Sequence, residues 1–200
     1  MISVYDQIWT EMTAKQTAKA YSVRDFHDLG SPTAVRKALS RLVRAGKIRR
    51  IRQGLYDVPS SHPIIGKTSP DIEGVVRGIM SSSSANWQFS GAYAANLLGL
   101  SEQVPAKIVI LTDGVPRKVE LGKLLLSFQR VAPRNLLGAG KPVGLVFQAL
   151  RYIGNQSEDW PKHIKHLQRI LDNETKTDLV NLIPKLPVWM QTIAKAIVEN

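Results

Sequence analysis

The sequence predicts an α+β chain: an N-terminal winged helix-turn-helix over residues 1–60, followed over residues 64–200 by a mixed, largely helical domain with a small sheet. Three observations predict it. Apolar residues recur at helical spacing in three successive N-terminal segments. The third of these ends at Gly46 and runs into a short basic hairpin pattern. Beyond Pro59-Ser60-Ser61-His62-Pro63, which reads as a linker, one clear strand and two weaker ones lie among helical patterns.

Taken in order, Ile2, Tyr5, Ile8, Trp9 and Met12 give an apolar stripe on a first helix of about three turns. Trp9 is expected in the core. Ser22 then caps a second helix with Asp25 in its first turn and Val23, Phe26 and Leu29 facing inward, and Gly30 is expected to supply a left-handed residue for a tight turn. Ser31-Pro32 opens the third helix as N-cap and first helical residue, and Gly46 ends it. Val35, Ala38, Leu39, Leu42 and Val43 are its buried stripe. Ile48 and Leu55-Tyr56 read as short strands around Arg49 to Gly54, with Gly54 at the turn and Ile48, Ile51, Leu55 and Val58 inward.

In the second domain, Ser69-Pro70-Asp71 opens a helix to about Met80, Ser81 to Ser84 reads as a loop, and Ser90 caps a small-residue helix to Leu98. Lys107 to Thr112 is the clearest strand, followed by the turn signal Asp113-Gly114, and Val119–Leu121 and Leu124–Val131 add two more. Helical spacing returns with Leu145, Val146, Ala149, Leu150 and Ile153, and again with Ile164, Leu167, Ile170 and Leu171. Thr175 to Ile183 and Val188 to Val198 follow, separated by Pro184 and Pro187.

Charge is placed rather than spread. The 200 residues carry 27 Lys+Arg against 16 Asp+Glu, a formal net charge of +11, which favours a polyanionic partner. The first thirty residues sum to −1, whereas Ser31 to Gln53 holds eight basic residues and no acidic one. In a helix-turn-helix the basic helix is the one that enters the major groove, so double-stranded DNA is the first partner to consider. The candidate contacts are Ser31, Thr33, Arg36, Lys37 and Ser40 at the front of the helix, Arg41, Arg44 and Lys47 farther along it, and Arg49, Arg50, Arg52 and Gln53 on the hairpin. The front residues suit base edges and phosphates, the next group phosphates, and the hairpin a minor groove or backbone. A solvated helix face and a charged, aggregation-resistant sheet edge are the competing explanations.

Other chemistries lack residues. No cysteine is present, so disulfides, thiolate metal sites and cysteine nucleophiles are excluded. His163 and His166 can share a helix face, but only Glu158 and Asp159 lie near them in sequence, so no metal site is expected. Gly138-Ala139-Gly140-Lys141 lacks the spacing of a phosphate loop, and the serine run lacks a nucleophile elbow. No enzyme and no cofactor are expected. Trp87, Trp160 and Trp189 do not interleave with basic residues, against a single-strand stacking platform. With no basic leader and no apolar run of about 20 residues, the expected location is the cytoplasm, with no membrane partner.

Ser22-Val23-Arg24-Asp25-Phe26, Ser31-Pro32-Thr33-Ala34-Val35-Arg36-Lys37-Ala38-Leu39-Ser40-Arg41-Leu42 and the segment L-x-R-A-G-K-I-x-R-I-x-Q-G-L-Y ending at Tyr56 resemble the N-terminal winged-helix domain of AbiEi-type antitoxins. The later likeness is only in the order of elements: the helix Gly91–Leu98, the strand Lys107–Thr112 and the helix Leu145–Ile153. The resemblance implies a DNA-binding autorepressor of a toxin–antitoxin operon whose C-terminal domain neutralises a nucleotidyltransferase-like toxin encoded nearby. Binding to repeated half-sites, with self-association or cooperativity on DNA, is then expected. The alternative is an antitoxin or interaction protein acting mainly through protein contacts of its C-terminal domain. The short, strongly helical C-terminal part departs from the family and fits a sister group that kept the head and changed its output.

Overall fold

The computed structural model describes residues 2–14, 20–59, 61–62, 66–67, 70–81, 83–122, 124–154 and 157–199. It is α+β and divides into two compact units, Met1–Ser84 and Ala85–Asn200.

The first unit opens with α1 (Val4–Ala14), whose Ile8 and Met12 are buried. β1 (Tyr21–Ser22) leads into a 3₁₀ segment, Val23–Leu29, bent at Phe26. The expected α-helix is therefore a tighter, kinked one. Its start is fixed as anticipated around Ser22 and Asp25: the Asp25 carboxylate accepts from the Ser22 N–H at 2.6 Å and the Ser22 hydroxyl at 2.7 Å. Tyr21 stacks on Phe26 with centroids 5.6 Å apart, and burial, aided by the Glu11 and Asp25 charges, raises the Tyr21 pKa above its usual 10.0. Gly30 has the positive φ expected of it but not the αL ψ. At φ 156° and ψ −177° it holds a conformation that residues with a side chain rarely adopt, and a Cβ there would also meet Val4 Cγ2 at 3.2 Å.

α2 (Pro32–Arg44) follows, then the hairpin β2 (Arg49–Arg52) and β3 (Leu55–Asp57). β3 is the centre of a three-stranded antiparallel sheet ordered β1-β3-β2, with Tyr21 opposite Tyr56 and Ser22 opposite Leu55. Ile8, Phe26, Leu39 and Leu42 are fully buried among one another and join the helices in one apolar cluster.

The stretch expected as a linker carries a small ladder, β4 (Ser61–His62) with β5 (Gly66–Lys67); Ser60 and Pro63 lie outside the described residues. α3 (Ile72–Met80) begins where expected, but Asp71 is its cap, accepting from the Gly74 N–H at 2.6 Å, while Ser69 lies outside the described residues. α3 belongs to the first unit, not to a domain starting at residue 64. At Gly78 an added Cβ would stand 2.7 Å from Leu55 Cδ1 and 3.2 Å from the Ala20 carbonyl. A larger residue there would press on the Ala20 carbonyl and displace the Leu55 side chain, so α3 packs closely within the first unit, which runs to Ser84.

The second unit opens with β6 (Trp87–Phe89), a strand too short to be read from the sequence, and α4 (Gly91–Leu97). β7 (Lys107–Thr112), β8 (Arg117–Leu121) and β9 (Leu124–Arg130) complete a four-stranded sheet ordered β6-β7-β9-β8. β7 and β9 are parallel, the other pairs antiparallel. α5 (Pro142–Ile153), α6 (Trp160–Ile170), α7 (Asn173–Leu182) and α8 (Val188–Val198) follow. They share a core through Val146, Leu150, Leu167, Leu179, Met190 and Ile197, all fully buried. Pro184 and Pro187 separate α7 from α8, as their ring chemistry requires. Among the described residues no helix is long and apolar enough to cross a membrane.

Candidate nucleic-acid interface

α2 is built by local signals. Ser31 is extended, and its Oγ accepts from the Ala34 N–H at 3.2 Å; Pro32 follows at the first position, where no N–H is needed. At the far end Gly46 takes φ 67°, its N–H donates to the Val43 carbonyl at 3.0 Å, and the Lys47 N–H donates to the Leu42 carbonyl at 3.1 Å. That pair of bonds is a Schellman closure, which requires a left-handed residue and explains the glycine. Val35, Ala38, Leu39 and Leu42 are buried. Thr33, Arg36, Lys37, Ser40, Arg41 and Arg44 are exposed, so the polar face anticipated from the sequence is a physical surface.

The hairpin is narrower than anticipated. Arg49 to Arg52 form strand rather than tip, leaving Gln53-Gly54 as the turn, with Gly54 at φ 77°. The register slips between Arg50 and Arg52, so Ile51 is an extra residue on that strand. The result keeps Arg50, Arg52 and Gln53 exposed and Ile51 half-buried.

The basic residues separate by environment. Arg49 is engaged: its Nε donates to Asp57 Oδ1 at 3.0 Å and its NH2 to Oδ2 at 2.5 Å, with the Asp57 side chain only 11 % exposed. It braces the hairpin, which removes it from the set of free cations. Arg41 and Lys47 lie over aromatic rings of α1. The Arg41 guanidinium carbon is 5.0 Å from the Tyr5 centroid, and Lys47 Nζ is 5.3 Å from Tyr5 and 5.0 Å from Trp9. Both cations are exposed yet have a preferred place, since each ring face offers negative potential. Trp9, expected in the core, is instead half-buried beneath Lys47. Ser31 spends its hydroxyl on the cap. Among the described residues no carboxylate pairs with Arg36, Lys37, Arg44, Arg50 or Arg52.

What remains is a face of Thr33, Arg36, Lys37, Ser40 and Arg44 on α2, with Arg50, Arg52 and Gln53 on the hairpin. Its chemistry is donor-rich and cationic, suited to phosphate oxygens and to the acceptor atoms of base edges. Sequence reasoning missed the Tyr5–Trp9 ledge. Its signal was present, two aromatics four apart on α1, but the same spacing also marks a core stripe. Among the described residues there is no group of three or more His, Asp or Glu that could hold a metal ion.

An α+β protein with a clustered basic helix and hairpin is the class that the structure defines. Within it, the chain belongs to DUF6088, a family of unknown function whose model matches residues 7–179. The structure is similar to that of the RV2827C protein from Mycobacterium tuberculosis, at 17% sequence identity and a TM-score of 0.47, over 100% of this chain and 78% of that one. No curated protein matches the sequence.

Proposed function

We propose that the chain is a cytoplasmic DNA-binding repressor whose first unit works as a winged helix-turn-helix, and that it serves as the antitoxin of a toxin–antitoxin operon. One observation carries the DNA-binding part. The exposed face of α2 presents Arg36, Lys37 and Arg44 without carboxylate partners, beside a hairpin whose Arg50 and Arg52 are equally open. Two further features support the reading. The order α1, β1, 3₁₀ segment, α2, β2, β3 is compatible with a helix-turn-helix with a wing, the hairpin following the basic helix directly in the chain and pairing with β1 through β3. The antitoxin role rests on the likeness of residues 22–56 to AbiEi-type antitoxins.

In this mechanism α2 enters the major groove with Thr33, Arg36, Lys37 and Ser40 toward the bases, while Arg44 and the hairpin cations hold phosphates. A single head spans few base pairs, so repression uses repeated half-sites upstream of the chain's own operon. Repression follows from occlusion of the promoter. An electrophoretic shift titration on that upstream DNA tests the reading. Arg36→Ala combined with Lys37→Ala is expected to weaken binding by about tenfold or more, each good base contact contributing about 1–3 kcal/mol. Wild-type affinity in the double variant overturns the assignment.

A further inference from the structure

We infer that α6 and the turn after α4 form a second anion site, one that takes a phosphate-bearing ligand within the C-terminal unit. Lys162, Lys165 and Arg169 stand at i, i+3 and i+7 on α6 and line one cleft of about 450 Å³ with Gly99, Ser101 and Glu102. All three cations are exposed, and among the described residues none is paired with a carboxylate.

The cleft has a built floor. His166 Nε2 lies 2.9 Å from the Leu98 carbonyl, and Arg169 NH2 lies 3.3 Å from His166 Nδ1. A guanidinium only donates, so Nδ1 is the acceptor and the imidazole proton sits on Nε2, donating to Leu98. His166 thereby ties the α4 turn to α6 and sets Arg169 at the cleft. Gly99, at φ +67°, passes over this ring; a Cβ there would stand 3.0 Å from His166 Nε2. The turn itself is fixed, since Asn96 Nδ2 donates to the Ser101 carbonyl at 3.1 Å and Ser101 Oγ accepts from the Gln103 N–H at 3.2 Å.

Three cations that donate and cannot accept call for a ligand with several acceptor oxygens and more than one negative charge, which describes a phosphate or polyphosphate group better than a single carboxylate. The volume lies within the range of small-ligand sites. A second cleft of about 500 Å³, beside the start of α5, makes the contrast clear. There Lys141 already donates to Asp178 at 2.9 Å and Asp113 adds a second carboxylate, so an anion is disfavoured, whereas the α6 cleft sets the single carboxylate of Glu102 against three cations.

The site is independent of the face on α2 and is tested separately. Calorimetric titration of the full chain with sodium tripolyphosphate compares wild type, the pair Lys162→Glu/Lys165→Glu, and the control pair Lys118→Glu/Arg130→Glu, which changes net charge equally at exposed positions of the sheet that do not line the cleft. The α6 pair is expected to weaken binding by about tenfold or more, and the control by less than about twofold, because screened distant charges act weakly. Because the α2 face is itself suited to phosphate oxygens, each comparison is also made in the Arg36→Ala/Lys37→Ala background, where the tenfold loss on the α6 pair is expected to persist. Equal weakening in both glutamate pairs, or no binding by wild type, overturns the site. In the Arg36→Ala/Lys37→Ala background, competition by a short DNA duplex identifies backbone phosphates as the natural source, and lack of competition identifies a free phosphorylated compound. Either result supports the phosphate chemistry.

Discussion

Arg49 and Asp57 face each other across the β2–β3 ladder and are joined at two points, Nε to Oδ1 at 3.0 Å and NH2 to Oδ2 at 2.5 Å. The planar guanidinium matches the carboxylate fork, and the pair is largely covered, with 29 % and 11 % of the two side chains exposed. Such a pair matters chiefly when one member is removed, because the survivor is left half-buried and uncompensated. Arg49→Ala, which strands the more buried carboxylate, is therefore expected to destabilise the first unit by about 1–3 kcal/mol, and Asp57→Ala, which leaves the more exposed guanidinium, by about 1 kcal/mol. The double variant is expected to lose less than the sum, a coupling that urea denaturation of the four proteins measures. Additive losses remove the brace from the account.

The same pair divides the hairpin cations by role. Arg50 and Arg52 are open, so their replacement by Ala together is expected to lower the slope of log K against log salt by roughly 1–2, whereas Arg49→Ala leaves the slope near wild type. Binding isotherms on the upstream DNA at several salt concentrations read this directly. An unchanged slope in the Arg50/Arg52 variant leaves the hairpin without a part in binding.

Tyr5 and Trp9 make the third test. Their rings lie beneath Arg41 and Lys47, and both also pack against the core of the first unit. Tyr5→Ala is expected to cost about 1–3 kcal/mol through lost packing and lost cation–ring attraction, while Tyr5→Phe, which keeps the ring, costs less than about 1 kcal/mol. Thermal denaturation distinguishes the two. If both substitutions cost the same, the ring face is irrelevant and only the hydroxyl matters.

These three sites show which parts of the structure could be read from the chain. α2 was legible from end to end because its signals are local: Ser31 and Pro32 satisfy the first turn, and Gly46 supplies the left-handed closure. β7 and β9 were legible because long apolar runs leave little choice. The role of Arg49 was not, since it depends on a register that sets it opposite Asp57, eight residues away; by composition it is one more cation in a basic run. Tyr5 and Trp9 carry the periodicity of a buried stripe, and only the path of α2 decides that cations cover them. The place of α3 hinges on Gly78 meeting Ala20 and Leu55, contacts between segments far apart in sequence. Pairings across distance, not propensities, are what the linear reading lacked.

The fourth test uses acid. Asp172 caps α7, accepting from the Thr175 N–H at 2.8 Å, and that backbone bond, strengthened by a side-chain bond to Thr175, holds its pKa below the ordinary 3.8. A carboxylate with a depressed folded pKa gives stability that is present above the unfolded value and lost as pH falls through the folded one. Asp172→Asn keeps an oxygen acceptor for the cap but cannot ionise. Wild type is therefore expected to exceed Asp172→Asn in stability above about pH 4–5, with the gap shrinking toward zero as the medium is taken to about pH 2. Asp172→Ala, which removes the cap itself, is expected to stay below Asp172→Asn throughout. Urea midpoints followed by helix ellipticity across that pH range make the comparison, and a wild-type advantage that does not change with pH shows that the charge on Asp172 plays no part in capping α7.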